Sequence, residues 1–282
     1  MFNTVTIIGV GLISGSFALA LKQQGLAGRV IGVSRTQASA RKALELGLVD
    51  EVLPLDEAVK QADLIYIAIP VDATIPVLQQ VLDLLQEGQI VTDAGSTKEA
   101  VCSAVAHHPM RGRYVAAHPM WGTEYSGPEA AVKDAFRGRT CVICEKESTD
   151  TDALQQVEQV YRDIGMHLTY MDAASHDTHA AYVSHISHIT SFALANTVLE
   201  KEREEDAIFQ LAAGGFESTV RLAKSNAAMW VPIFLQNRDN VLDVLNEHIS
   251  QLRKFKACIE KDNKEYLQEL IENANRIRRI IQ

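Results

Sequence analysis

The sequence predicts an α/β protein, with a doubly wound parallel sheet in its N-terminal part and an all-α C-terminal part. Two observations predict this. Short β-branched runs alternate with helix-period segments up to about residue 170, and the strand pattern disappears beyond Asp172. A chain of 282 residues is also long enough to bury two cores. We therefore expect two domains, residues 1–171 and residues 172–282.

The elements of the first domain follow in order along the chain. The candidate strands are residues 5–9, 30–33, 64–69, 90–93, 114–117 and 141–144. The candidate helices between them are residues 16–24, 38–46, 73–85 and 151–164. Strands that alternate with helices in this way typically lie parallel, with helices on both faces of the sheet.

The second domain shows only helical patterns. Asp172 is a candidate N-cap for its first helix, and Pro232 suits the first turn of a later one. Apolar residues recur at helical spacing from Val241 to Ile280, which predicts long amphipathic helices with more than one buried face. The charge run at residues 201–206 predicts a solvated helix end.

The composition limits the classes of partner. The 27 Lys and Arg against 36 Asp and Glu give a formal charge of -9, which argues against nucleic acid. No apolar stretch approaches the roughly 18 residues that span a bilayer, and the chain enters a strand without a secretory signal. We expect a cytoplasmic protein without membrane contact. Cys141 and Cys144 lie in a predicted buried strand, so we expect reduced core thiols and no metal.

The glycine turn after the first predicted strand indicates a dinucleotide site. Gly9 and Gly11 begin a GxGxxG-like pattern, with Ser14 at the third glycine position. Gly9 permits a tight turn and Gly11 lets the backbone approach a pyrophosphate. The N-terminus of the helix that follows offers it N–H groups, and Leu12 and Ile13 belong to the expected cofactor site. Between a strand and a helix this turn predicts a Rossmann-type domain, the alternative being a purely structural turn.

The residues after the second predicted strand bear on which dinucleotide binds. NAD sites usually have an acidic residue there for the ribose 2'-hydroxyl, whereas this sequence has Ser34 and Arg35. A hydroxyl and a guanidinium suit a 2'-phosphate, so we expect NADP. NAD stays the alternative, because Arg35 can also stack on the adenine of either cofactor. Pro70 and Val71, after the next predicted strand, complete the expected cofactor site.

Three groups of residues suggest chemistry beside the cofactor. His118 directly follows a predicted strand at the edge of the cofactor crevice, where it can accept a proton while hydride leaves the same substrate. Arg221 can bind a carboxylate with both arms of its guanidinium. His185 and His188 share one helical face, but they do not predict a zinc site without a clear third ligand.

On several motifs the sequence resembles the prephenate and arogenate dehydrogenases, the cyclohexadienyl dehydrogenases of tyrosine biosynthesis. In family order, the motifs are Gly-Val-Gly-Leu-Ile (9–13), Asp-Ala-Gly-Ser-Thr-Lys (93–98), His-Pro-Met-Trp-Gly-Thr-Glu (118–124), Ser-His-Ile-Ser-His (184–188), Gly-Gly-Phe (214–216) with Arg221, and Met229-Trp230. The resemblance runs to about residue 245, and the remaining helices fit the family's dimerisation domain. The departures are Ser14 and Ser218, the latter where some members have an acid.

The resemblance implies oxidative decarboxylation of a cyclohexadienyl acid. Hydride leaves ring C4 for the nicotinamide, carbon dioxide leaves C1, and the ring becomes aromatic. His118 is implied to accept the proton of the C4 hydroxyl, and Ser96 to contact that hydroxyl. His188 and Arg221 are implied to hold the substrate carboxylates. The other implied pocket residues are Thr123, Glu124 and Trp230.

The resemblance also implies partners. We expect prephenate as the substrate, with arogenate as the alternative, since arogenate differs only in having an ammonium instead of a keto group. A pocket carboxylate such as Glu124 would favour arogenate. We also expect a homodimer through the C-terminal helices, and tyrosine as a candidate feedback inhibitor because the product resembles the substrate.

Two other functions compete with this interpretation. A dehydrogenase of the 6-phosphogluconate or hydroxyisobutyrate type shares a nucleotide domain followed by helices, and Lys224 could stand in for its catalytic lysine. Such an enzyme does not explain the motif at His118. A non-enzymatic sensor of NADPH would not need histidine, serine and arginine at the nicotinamide end.

Overall fold

An eight-stranded sheet forms the centre of the N-terminal part of the chain. The computed structural model describes residues 1–202 and 208–280. The strands are β1 (Phe2–Ile8), β2 (Ala27–Val33), β3 (Glu51–Val52), β4 (Leu64–Ile67), β5 (Ile90–Asp93), β6 (Tyr114–Pro119), β7 (Thr140–Cys144) and β8 (His167–Met171). Their order across the sheet is β3-β2-β1-β4-β5-β6-β7-β8. The chain reverses its direction of winding between β1 and β4, where ligands bind in open α/β sheets.

The predicted fold class is confirmed, but the sheet is mixed and not wholly parallel. Strands β1 to β6 pair parallel, whereas β7 runs antiparallel to β6 and β8 parallel to β7. The connection from β6 to β7 contains only a short 3-10 turn at Pro128–Ala130. A parallel crossover usually needs a helix, and this connection has none.

Twelve α-helices occur in the described residues. They are α1 (Leu12–Gln23), α2 (Gln37–Glu45), α3 (Leu55–Gln61), α4 (Val71–Leu84), α5 (Glu99–Val105), α6 (Thr151–Asp163), α7 (Ala173–Ala180), α8 (Ile186–Glu202), α9 (Gly214–Val220), α10 (Ala227–Gln236), α11 (Arg238–Glu260) and α12 (Lys264–Asn275). The four predicted helices of the first domain correspond to α1, α2, α4 and α6, with ends that differ by at most four residues.

Apolar side chains fill both faces of the sheet, because successive residues of a strand point to opposite sides. On one face Tyr66 stacks on Phe17 of α1, with ring centroids 4.0 Å apart, and Tyr161 of α6 packs nearby. On the other face Ile65 lies in a cluster with Leu78 of α4. The sheet is therefore covered on both sides, as a doubly wound fold requires.

The helical part begins where the sequence predicts it. Asp172 caps α7, and its carboxylate accepts a hydrogen bond from the Ser175 N–H at 2.7 Å. A five-residue π-helical segment, Ala181–His185, joins α7 to α8. The expectation that Pro232 lies in the first turn of a helix is wrong. Pro232 lies inside α10, whose N-cap is Asn226.

The chain divides into two compact units, Met1–Asn237 and Arg238–Gln282. The first unit contains the sheet and helices up to α10, and the second contains α11 and α12. Of the predicted helix end at residues 201–206, residues 203–206 lie outside the described ranges. Within those ranges no helix is both long and apolar enough to cross a membrane.

Candidate active site

The glycine turn after β1 fits a dinucleotide. Gly9 has a φ of +88°, and a Cβ there would lie 2.5 Å from the backbone oxygen of Ala68. This crowding explains why a glycine is needed, since the turn passes directly against the end of β4. A Cβ on Gly11 would meet no atom within 4 Å. The space over Gly11 is therefore open for a pyrophosphate to approach the backbone.

Ser14, at the position of the usual third glycine, takes a different part in the turn. Its hydroxyl accepts a hydrogen bond from the Gly11 N–H at 2.9 Å. The N–H groups that remain to face a phosphate are those of the first turn of α1, which begins at Leu12 and Ile13. Gly15 supplies the close packing, because a Cβ there would lie 2.9 Å from the Ala131 Cβ.

The end of β2 presents the two residues that bear on the 2'-position of a cofactor. The Ser34 hydroxyl lies 3.2 Å from the Thr36 carbonyl oxygen, and Thr36 caps α2. Arg35 is exposed, and within the described residues its guanidinium forms no hydrogen bond or ion pair. The guanidinium is thus available to a ligand at this edge of the sheet.

Pro70 is the N-cap of α4, which begins at Val71, shortly after β4 ends at the same edge of the sheet. The side chain of Val71 is buried against Trp230 and Ile233 of α10. The Gln236 amide donates a hydrogen bond to the Val71 carbonyl at 3.3 Å. Val71 therefore joins the helical segment to the nucleotide-binding part of the first unit.

A buried ion pair organises the loop after β5. The Lys98 ammonium pairs with the Asp93 carboxylate, and both side chains are almost fully buried. Asp93 also accepts hydrogen bonds from the Gly95 N–H at 2.8 Å and from the Tyr114 hydroxyl at 2.8 Å. Ser96, half-buried in this loop, is thereby held between β5 and α5.

His118 lies within β6 and not beyond its end, because the strand extends to Pro119. Its Nδ1 is 2.8 Å from Nε2 of His176 in α7, and Nδ1 of His176 is 2.7 Å from the Asp177 carboxylate. Burial lowers the pKa of His118 well below its ordinary value, and positive charge on His176, Lys98 or His185 acts in the same direction. At neutral pH His118 is therefore an uncharged base.

Two further histidines lie along the helical segment. His188 is stacked on Trp230, with ring centroids 3.4 Å apart, and burial lowers its pKa. His185 is 1 % exposed, and its Nδ1 lies 3.2 Å from the Asn237 amide nitrogen. Burial lowers the pKa of His185 to about 4, so its ring is neutral. Across residues 1–202 and 208–280, no three His, Cys, Asp or Glu side chains are arranged to hold a metal ion.

Arg221 and Glu124 form an ion pair, with Nη1 and Oε2 3.1 Å apart. The pKa of Glu124 is lowered first by a hydrogen bond from its own backbone N–H, and also by the charge of Arg221. Half of the Arg221 side chain is exposed, which leaves donors for a second carboxylate. Thr123 precedes Glu124 in the same loop, and its hydroxyl accepts a hydrogen bond from the Tyr125 N–H at 3.3 Å.

The sequence-predicted residues thus fall into three groups. The first group lies at the carboxyl edge of the sheet, because its members follow parallel strands or, in the case of His118, lie near the end of one. This group comprises the glycine turn, Ser34, Arg35, Pro70, Ser96 and His118. His188 is joined to Trp230, and Arg221 to Glu124. Sequence reasoning missed His176 and Asp177, although both lie in the helix start that Asp172 marks. A histidine next to an aspartate in the sequence does not indicate a function by itself, because the contact with His118 forms only in the folded protein.

Comparison with known proteins assigns the family. The family model described as "Prephenate dehydrogenase, nucleotide-binding domain" matches residues 17–170, and "Prephenate dehydrogenase, dimerization domain" matches residues 172–273. The prephenate dehydrogenase of Bacillus subtilis is 32% identical over 95% of this chain and 73% of the relative. The cyclohexadienyl dehydrogenase of Zymomonas mobilis is 29% identical over 99% of this chain and 96% of the relative.

A solved structure supports the same assignment. The prephenate dehydrogenase of Aquifex aeolicus, in complex with hydroxyphenyl propionate and NAD+, superposes with a TM-score of 0.91. It is 30% identical in sequence, and the match covers 100% of this chain and 99% of that one. The two family models together match most of the chain, and the chain therefore belongs to the prephenate dehydrogenase family.

Proposed function

We propose that the chain is a prephenate dehydrogenase, which converts prephenate to 4-hydroxyphenylpyruvate in tyrosine biosynthesis. The observation that carries this proposal is His118, a neutral base near the carboxyl end of β6, at the sheet edge that also bears the glycine turn. Family membership supports the substrate class. A sensor of NADPH has no need of such a base.

The reaction needs few protein groups, because aromatisation and loss of carbon dioxide drive it forward. A nicotinamide bound at this edge would supply the acceptor for the hydride of ring C4. Carbon dioxide leaves C1, and the electron pair of the broken bond between C1 and the carboxylate completes the aromatic ring. His118 accepts the proton of the C4 hydroxyl as carbonyl character develops there. It returns that proton to the oxygen when the ring becomes aromatic.

The remaining residues bind and orient the substrate. Ser96 contacts the C4 hydroxyl from the loop after β5. Arg221 and His188 hold the two carboxylates, and the exposed half of the Arg221 guanidinium supports this role. The residues that shape the pocket are Thr123, Glu124 and Trp230. The stacking of Trp230 on His188 supports a fixed position for that imidazole.

Prephenate is favoured over arogenate by the state of Glu124. Arogenate carries an ammonium where prephenate has a keto group, and a free pocket carboxylate would bind it. The Glu124 carboxylate is already paired with Arg221 at 3.1 Å. The ammonium of arogenate would have to compete with that guanidinium for the carboxylate, whereas the keto group of prephenate does not need a carboxylate partner.

For the cofactor we propose NADP in preference to NAD. The support is Arg35, exposed and unpaired within the described residues at the end of β2. We expect Arg35→Ala to weaken NADP binding roughly 10- to 100-fold, since a hydrogen bond to a charged group contributes about 1.5–3 kcal/mol. NAD binding should hardly change. Equal losses for both cofactors, measured by fluorescence titration, would contradict this preference.

We also propose that residues 1–171 bind the dinucleotide, and that residues 172–282 bind substrate and form a homodimer. Exposed apolar side chains support an interface on the helical segment of the first unit, namely Tyr182, Val183, Leu199, Val231 and Leu235. Light scattering of the purified protein measures the expected dimer. Tyrosine is proposed as a feedback inhibitor, and the cytoplasm as the location.

Incubation with prephenate and either cofactor tests the proposed function. We expect the absorbance of the reduced nicotinamide to rise, and 4-hydroxyphenylpyruvate to form in equal amount. Replacing prephenate with arogenate measures the substrate preference in the same assay. No rise with either substrate and either cofactor would overturn the assignment as an enzyme.

A further inference from the structure

We propose that His176 and Asp177 form a positioning pair for His118, which holds the His118 proton on Nδ1 and so presents an unprotonated Nε2 to the substrate hydroxyl. The inference rests on the proposed function, in which His118 is the proton acceptor. Its basis is an unbroken line of polar contacts from Asp177 through His176 to His118, with distances of 2.7 and 2.8 Å.

The direction of each hydrogen bond in this line follows from the carboxylate at its end. The Asp177 carboxylate, which has only acceptors, receives the Lys98 N–H at 2.7 Å and the Glu99 N–H at 3.0 Å. Nδ1 of His176, 2.7 Å from the same carboxylate, must therefore be its third donor. A neutral His176 then has its lone pair on Nε2. Nδ1 of His118 must donate to that lone pair, which leaves Nε2 of His118 without a proton.

The pair is built into the fold. His176 and Asp177 are each 2 % exposed, so water does not compete for these hydrogen bonds. Two backbone N–H groups at the start of α5 fix the Asp177 carboxylate. The Asn237 amide also donates to the Asp177 carbonyl at 2.7 Å, which anchors the backbone of α7. The pair thus joins the segment that carries Ser96 to the strand that carries His118.

The pair also acts during the reaction. When Nε2 of His118 takes the hydroxyl proton, the ring becomes an imidazolium whose Nδ1–H still bonds to His176. The Asp177 carboxylate stabilises that positive charge through His176, as a carboxylate behind a histidine does in other bases. The proton then returns to the substrate oxygen, so the cycle consumes no proton.

Variants of His176 separate positioning from packing. Phe at this position keeps the size of the ring but offers His118 no acceptor, whereas the amide oxygen of Gln can accept the His118 proton. We expect His176→Phe to lower kcat roughly 10- to 100-fold with little change in KM, as loss of an orienting partner does at other sites. His176→Gln should recover most of kcat. His179→Gln is the matched control, since His179 is exposed on the same helix.

The tautomer of His118 gives a readout that does not depend on turnover. Long-range proton–nitrogen correlation spectra of protein labelled with nitrogen-15 histidine identify which ring nitrogen carries the proton. We expect Nδ1 in the wild type and in His176→Gln, and a shift toward Nε2 in His176→Phe. If no cyclohexadienyl acid is turned over, the proposed function fails, yet these spectra still test the pair.

Three outcomes would overturn the inference. The first is a wild-type His118 protonated on Nε2. The second is a His176→Phe variant with the kcat of the wild type. The third is a His176→Gln variant as slow as His176→Phe although its His118 is protonated on Nδ1. If His176→Phe fails to fold, the spectra of the wild type and of His176→Gln still show which ring nitrogen of His118 carries the proton.

Discussion

The two glycines of the β1 turn should respond to the same substitution in opposite ways. Gly9→Ala adds a Cβ 2.5 Å from the Ala68 oxygen and 2.7 Å from Ile69 Cγ2, at a φ of +88°. Left-handed backbone costs an alanine about 1–2 kcal/mol, and overpacking about 1–3 kcal/mol more. The backbone oxygen cannot move aside as a flexible side chain would. We therefore expect the melting temperature to fall by on the order of 10 °C.

Gly11→Ala should leave the fold intact. Gly11 has a φ of -99°, and its added Cβ would meet no atom within 4 Å. The free energy of unfolding should stay within about 1 kcal/mol of the wild type. The same Cβ would occupy the space through which a pyrophosphate reaches the backbone, so we expect the Kd for NADP to rise at least about tenfold.

Thermal unfolding and a fluorescence titration with NADP measure both effects on the same samples. Gly9→Ala should lose stability, and Gly11→Ala should lose cofactor affinity alone. A Gly11→Ala variant that binds NADP and NAD as tightly as the wild type would refute the reasoning, because the dinucleotide would then not cross this turn. A Gly9→Ala variant as stable as the wild type would refute the assigned crowding.

Three other predictions concern the active site. His118→Asn should lower kcat roughly 10²- to 10⁴-fold, the usual contribution of a general base, while cofactor affinity in a titration stays normal. A variant with wild-type turnover would exclude this role. Arg221→Ala should raise KM more than it lowers kcat in steady-state kinetics, and a kcat effect alone would argue against carboxylate binding. The pKa of His185 is about 4 when folded and near 6.5 when unfolded, so the unfolded state binds more protons between these values. His185 alone should therefore lower the free energy of unfolding by roughly 3 kcal/mol from pH 6.5 to 4, and His185→Gln should remove that part of the fall in chemical denaturation.

Local sequence signals predict much of the fold. The alternation of apolar strands and helices predicts β1, β2 and β4 to β7, since buried strands have continuous apolar runs. β8, His167–Met171, escapes such reasoning because it is an edge strand whose side chains are partly or mostly exposed. The antiparallel pairing of β7 with β6 depends on a long connection without a helix, and no local pattern in β7 encodes it.

The active site is predictable in its parts but not in their pairing. His118, Arg221 and the glycine turn have recognisable motifs, because each residue type suits one chemical task. The hydrogen bond between His118 and His176 joins residues 58 positions apart, and it forms because α7 packs beside β7, the neighbour of β6 in the sheet. Pro232 also shows where local prediction fails, because it lies inside α10 although proline disfavours the interior of a helix.

The central claim is that this chain moves the hydrogen of ring C4 to a nicotinamide. Prephenate with deuterium at C4 tests it directly, with mass spectrometry of the reduced cofactor as the readout. We predict one deuterium in each molecule of reduced cofactor, and one molecule of carbon dioxide released with it. Reduced cofactor without deuterium, or deuterium retained on the ring, would contradict the account.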